Sequence, residues 1–268
     1  MHLWDPKILP YSWLKKNELL NQRYGVKEYQ AATQDAHIGK MVFVECGTDA
    51  GNNLKEVDWV VKQLAKDPRI SGIVAKSDLS QEHSLEAEWE ILQENKWVKG
   101  VRSGANTERL MDTQYVQRLQ KLPKYDLSFD LHINSSAFEA AEKAIRTCNH
   151  TQFILNHVGI PDIKGGEWEP WHQGMIRLAK LPNLVCKISG VITRAGEAWT
   201  ADIIKPYIFH VIESFGFERI IYGGDWPVVL RAGSYQSWVS AFEQLTQEFS
   251  QDELTQLYHL NAEQIYQL

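Results

Sequence analysis

The 268-residue chain predicts an α/β fold, a (β/α)8 TIM barrel forming a single domain over 1–268. Three observations predict it. Short apolar runs alternate with segments of helical spacing along the whole chain, and such βα alternation pairs strands in parallel through right-handed crossovers. The apolar runs end in polar or charged residues, where a parallel barrel carries its chemistry. No G-x-G-x-x-G follows the first run, so the rival doubly wound sheet lacks its usual dinucleotide signature.

The first element is the weakest. His2-Leu3-Trp4 stands where an eighth strand is needed, and Met1 directly precedes it. Strands normally run about five or six residues. The expectation is a barrel whose first strand is truncated at the N-terminus, with the native start placed upstream of Met1.

The other strands read more plainly. They are "MVFVEC" (41–46), "ISGIVAK" (70–76), "VKGVR" (98–102), "LSFDLHI" (127–133), "FILNHVG" (153–159), "LVCKISG" (184–190) and "RIIYGG" (219–224). Each is too short for a buried helix, and most are rich in β-branched residues. Between them, "NLKEVDWVVKQLAKD" places Val57, Val60, Val61 and Leu64 on one face. "AFEAAEKAIRTCN" and "DIIKPYIFHVIESFG" repeat that spacing, and Pro68 and Gly216 act as stop signals. The final "QDELTQLYHLNAEQIYQL" predicts a helix closing the outside of the fold.

Composition sets the class of partner. Hydrophobic residues make up 44% and charged residues 23%, an ordinary globular balance that can bury a core without staples. Lys and Arg number 28 against 34 Asp and Glu, a net charge of −6. That does not suit a nucleic-acid groove, which needs a basic face to displace counterions. Cys46, Cys148 and Cys186 are odd in number and form no CxxC pair, so neither a disulfide framework nor a cysteine zinc site is expected. No apolar run reaches membrane-spanning length, and "MHLWDPKILPYSW" lacks the basic and apolar regions of a signal peptide. A cytoplasmic protein acting on a small molecule is expected, with neither nucleic acid nor membrane as partner.

The runs end in Glu45, Lys76, Arg102, His132, His157, Lys187 with Ser189, and Asp225. Period two puts Asp130 with His132, and Lys187 with Ser189, on a common face. Asp225 follows Gly223-Gly224, so the glycines either make an ordinary turn or clear space for an acid aimed into a cavity. Each residue also has a plainer reading. A histidine at a strand end is often structural, and Arg102 could cap a helix or pair with Glu45. Trp226 and Trp168 either fill the core or wall a ring-shaped substrate.

Taken in order, "HLWDP…LPYSWL" (2–14), "VFVECG" (42–47), "ISGIVAKSDL" (70–79), "KGVR" (99–102), "FDLHI" (129–133), "ILNHVGIPDI" (154–163), "NLVCKISGV" (183–191), "RIIYGGDWPV" (219–228) and "NAEQIY" (261–266) resemble the amidohydrolase superfamily. Within it they resemble the branch of L-fuconolactonases, L-rhamnonolactonases and 2-pyrone-4,6-dicarboxylate hydrolases. By this resemblance His2 matches the second histidine of the family's H-x-H, the first falling before Met1. His157 matches the sixth-strand histidine and Asp225 the eighth-strand aspartate. Arg102 matches an arginine that holds substrate in the pyrone relatives, whose further arginines find no clear counterpart here.

The resemblance implies hydrolysis of a lactone ring, most simply that of a sugar acid. Asp225 would be the general base, with His157 and His2 polarising the carbonyl. Arg102, Lys76 and His132 would hold substrate, Trp226 and Trp168 would wall the ring, and the loop "GIPDIKGGEWEPW" (159–171) would close as a lid. The cofactor expectation is none required, or one divalent metal weakly held on His2, His157 and Asp225. The incomplete histidine set argues against a two-metal site. Two rival readings are a metal-dependent decarboxylase and a non-catalytic barrel that binds a sugar acid.

Overall fold

The computed structural model describes residues 1–81 and 85–268. One sheet holds β1 (Met41–Val44), β2 (Ile70–Lys76), β3 (Val98–Arg102), β4 (Ser128–Leu131), β5 (Phe153–Leu155), β6 (Leu184–Ile188) and β7 (Ile220–Tyr222). The strands lie in sequence order, and every neighbouring pair is parallel. Each strand lies within its predicted run. Several stop short of it because the backbone turns away: His157 and Val158 have φ of 53° and 48°, in the left-handed region that ends extended structure.

The alternation of side chains splits the core into two layers. Val44, Val74, Ile154, Val185 and Ile221 form a small inner cluster with Tyr266. The alternate residues, among them Phe43, Ile73, Val101, Phe129, Phe153 and Cys186, join the larger cluster between sheet and helices. The helix Asn53–Leu64 buries Val57, Val60 and Leu64 in that outer layer, as its spacing predicts. The C-terminal helical stretch departs from expectation. Tyr266 is buried in the inner layer and donates its hydroxyl to Asp130 Oδ1 at 2.9 Å. Lys40, just before β1, donates to Glu263 at 2.5 Å. The chain's end therefore plugs the curled sheet near the strand starts rather than covering its outside.

Among the described residues the sheet has seven strands, and β1 and β7 do not pair. Residues 1 and 2 span the gap between them. The Met1 amino group donates to Val42 O, and Val44 N donates to Met1 O, both at 2.9 Å. His2 N donates to Trp226 O at 2.7 Å. These bonds join β1 to the turn after β7 without forming a ladder. Beyond them, Trp4 and Tyr24 exchange an isolated antiparallel bridge. No described helix is long and apolar enough to cross a membrane, and the three cysteines are buried and unbridged.

Candidate active site

The carboxyl ends of the strands open into a cavity of about 380 Å3 that His2, Arg102, His132, His157 and Asp225 all line. Asp225 reaches it through a tight approach. A Cβ on Gly224 would lie 2.4 Å from Tyr235 Cε2, and one on Gly223 would lie 2.8 Å from Ser189 Cβ. The two glycines thus let the chain run close against its neighbours, rather than clearing room in the cavity itself. Asp225 then takes φ 50°, a left-handed conformation that turns its side chain off the strand line, and remains only 7% exposed. Val229 N bonds its carbonyl at 2.9 Å and starts the next turn.

Two histidines face this acid. His2 Nε2 stands 3.3 Å from Asp225 Oδ1, and His157 Nε2 stands 3.9 Å from the same oxygen. The other nitrogen of His2 lies 2.8 Å from Val44 O. A carbonyl only accepts, so Nδ1 of His2 carries the proton and its Nε2 is a lone pair in the neutral ring. His157 Nδ1 lies 2.8 Å from Ser189 Oγ. Gly190 sits behind that ring at φ 65°, where a Cβ would come within 2.7 Å of His157 Nδ1.

Burial would raise the pKa of Asp225, but the charge of His157 and the hydrogen bond from His2, both present once those rings are protonated in acid, outweigh it and hold it down at about 2. Burial pushes His157 down to about 4 and lowers His2 as well. The ground state is an ionised acid facing two neutral imidazoles. His132 stands edge-on to His157, with ring centroids 5.3 Å apart, and is open to solvent at the mouth.

Arg102 is fixed by Glu45, as its plainer reading held. Its Nε donates to Glu45 Oε1 at 2.5 Å and its Nη2 to Glu45 O at 2.6 Å. Gly47 N donates to the other carboxylate oxygen at 2.6 Å. Burial opposes ionisation of Glu45, yet the Arg102 charge and these bonds lower its pKa overall. The arginine keeps N–H groups to spare while its charge is balanced.

Three expected substrate contacts lie away from this cavity. Lys76 donates its ammonium to Thr48 O and is not among the residues that line it. Trp226 is 1% exposed, because the left-handed turn at Asp225 sends its ring back between Tyr24 and Tyr29, at centroid distances of 5.3 and 5.1 Å. Trp168 stacks on His172 at 5.0 Å and belongs to an aromatic cluster outside the cavity.

Trp4 and Trp13 supply the aromatic wall instead, edge to face at 5.5 Å, with Trp13 Nε1 bonded to Cys46 O at 2.7 Å. Trp4 follows His2 by two residues, so period two could have found it. Of the expected lid, Ile160 reaches the cavity. The loop is tied down by Asp162 N to Glu167 Oε2 at 2.8 Å and Lys164 N to Arg194 O at 3.1 Å.

Lys187 lies deeper. It donates to Asp130 Oδ2 at 2.8 Å and lines a second cavity of about 470 Å3 that opens between β1 and β7. His2, Arg102, His157 and Asp225 line both cavities and so stand as the wall between them. Among the described residues no three His, Cys, Asp or Glu side chains are arranged to hold a metal ion. The 3.3 Å contact between His2 and Asp225 brings the two groups directly together.

The sequence pattern of the amidohydrolase family matches residues 1–268. The chain is 28% identical over 287 residues to the uncharacterized protein y4mH of Sinorhizobium fredii, covering 100% of this chain and 96% of that one. It is 34% identical over 128 residues to the L-fucono-1,5-lactonase of Burkholderia ambifaria, covering 47% and 44%. Among solved structures, an amidohydrolase from Burkholderia multivorans with bound HEPES superposes with a TM-score of 0.86 at 22% identity, covering 100% of this chain and 97% of that one. At that identity the superposition speaks for the fold alone.

Proposed function

This chain belongs to the amidohydrolase family, and from that premise we propose that it is a hydrolase that opens the ring of a sugar-acid lactone by activating water. One observation carries the reading. An ionised carboxylate, Asp225, faces two histidine ring nitrogens at 3.3 and 3.9 Å on the floor of a cavity of about 380 Å3, a volume within the usual range for small-molecule sites. The partial match to a protein named L-fucono-1,5-lactonase supports the substrate class.

The step follows from the donors and acceptors. A water beside these groups gives one O–H to the Asp225 carboxylate, the cavity's charged acceptor. Its oxygen adds to the lactone carbonyl carbon as that proton passes to the carboxylate. The low pKa keeps Asp225 ionised across the working range, at some cost in basicity. Charge gathers on the former carbonyl oxygen. Arg102, balanced by Glu45 and with N–H groups to spare, and His132 at the mouth are donors on the cavity wall that can receive it. The tetrahedral centre collapses with cleavage of the bond to the ring oxygen, which takes the proton back from Asp225 and leaves as a hydroxyl. His157, held through Ser189 Oγ, and His2, held through Val44 O, fix the water's place.

The same reading takes the seven strands and residues 1–4 as one single-domain (β/α)8 barrel, with the N-terminal stretch in the eighth position, and places the enzyme in the cytoplasm. The test is turnover of a panel of aldonolactones by the purified protein, followed by proton release. Ring opening that is lost in Asp225→Asn is expected. A protein that opens none of the panel overturns the lactonase reading.

A further inference from the structure

The rim of the front cavity carries two arginines that the sequence patterns did not single out. Arg194 stands in the short helix Val191–Ala195 that follows β6, and Arg231 closes the 3-10 turn Val228–Arg231 that follows Asp225. Both line the cavity, with Thr193 beside them. Arg194 is half-buried, and its Nε donates to Pro161 O at 3.2 Å, which holds the guanidinium in place. Among the described residues no carboxylate lies within 4 Å of either arginine. Thr193 Oγ1 is buried without a hydrogen-bond partner.

The remaining lining sharpens the point. Asp225 is the cavity's single described carboxylate, and the lining includes no Asn, Gln or Glu. A neutral sugar ring presents hydroxyl donors that need side-chain acceptors as well as donors. A guanidinium donates N–H bonds and accepts none. Its natural counterpart is a group that only accepts, and a carboxylate meets it with two parallel bonds.

We infer that Arg194, with Arg231 and the Thr193 hydroxyl, forms an anion subsite, and that the substrate is a lactone that keeps a free carboxylate: the ring form of a sugar diacid rather than of a neutral aldonic acid. The substrate half of this inference rests on the lactonase reading. The subsite itself rests on the charge of the rim.

The experiment compares glucaro-1,4-lactone, which carries a carboxylate, with neutral galactono-1,4-lactone in the parent and in Arg194→Met and Arg231→Met. The expected kcat/KM ratio favours the charged lactone by about ten-fold or more in the parent and falls by about ten-fold or more in Arg194→Met, the usual scale for losing a charge-assisted pair. A parent that prefers the neutral lactone, or a ratio that Arg194→Met leaves unchanged, overturns the proposal. Binding of glucarate and of gluconate by calorimetry separates the two claims if no lactone is opened. Tighter binding of glucarate that weakens in Arg194→Met keeps the subsite while the lactonase reading falls. Equal binding of the two acids rejects the subsite. Unchanged thermal unfolding checks that each variant is folded.

Discussion

Two buried carboxylates face the inside of the curled sheet, and they are built on opposite rules. Asp130 on β4 is fully buried, and each of its oxygens has its own donor, Lys187 at 2.8 Å and Tyr266 at 2.9 Å. Asp225 is buried almost as deeply. Its Oδ1 is approached by two histidine nitrogens at 3.3 and 3.9 Å, and its Oδ2 has no hydrogen-bond partner among the described residues. A closed cluster of this kind specifies and braces a structure. An open one keeps its valences for something that arrives, and in a native protein such an exception calls for a function. The difference teaches that burial of charge alone does not locate an active site; unmet hydrogen-bonding capacity does.

The comparison is broken most directly at Asp225. Asp225→Asn keeps the shape and removes the base, so lactone hydrolysis is expected to fall by ~10²–10⁴-fold, while the thermal midpoint stays near that of the parent. A variant that keeps most of its rate would put Asp225 in the same structural class as Asp130. The mirror experiment is Lys187→Met. It strands Asp130 without its cation and is expected to cost roughly 3–5 kcal/mol in denaturant unfolding, with little change in rate per folded molecule. A large loss of rate at unchanged stability would erase the distinction between the clusters.

Gly190→Ala sharpens it further. The new methyl would press on His157 Nδ1 from 2.7 Å at a backbone position of φ 65°, and a displaced ring is expected to lower the rate by roughly 10–10²-fold. Retained rate would mean that the ring position is immaterial. The pH profile is a gentler probe. Burial holds His157 at about 4, so the acid limb of kcat/KM is expected near pH 4 and not near 6.5. Stability moves in the same direction. The unfolded chain takes up the His157 proton at about 6.5 and the folded chain only at about 4, so this contribution is lost as pH falls through that window. An acid limb centred near 6.5 would show His157 to be solvated like an ordinary histidine. The smallest effect is expected from a chelator, which should leave the rate unchanged; a stoichiometric ion in metal analysis, with activity lost on its removal, would rule that out.

The strands were legible because each is a compact apolar run with a polar end, and Arg102, His132, His157 and Asp225 were legible because they sit at or just past those ends. The sequence did not announce where chain direction reverses. At Asp225 the left-handed turn hides Trp226 in the core, although the two are adjacent. Lys76 ends its strand as expected, yet its long side chain reaches the Thr48 carbonyl and leaves the cavity. Arg194 and Arg231 lie several residues beyond any strand, and only the folding of separate loops onto one rim brings them together. The C-terminal helix has the spacing of an outer layer, but Tyr266 finds a hydrogen-bond acceptor inside the barrel, and period alone cannot foresee that.

The Glu45 pairing of Arg102 has a consequence for how such a site changes over time. A guanidinium already balanced by its own carboxylate adds donors to the floor without adding net charge, so the floor keeps the single negative charge of Asp225. The positive charge of the pocket is then set at the rim, by residues on a short helix and a 3-10 turn outside the sheet. On the proposed reading, exchanging those few side chains would redirect the site from charged to neutral rings while Asp225 and its histidines keep their places. Selectivity and chemistry can drift apart here, and descendants of one scaffold could part ways over their substrates without relearning the reaction.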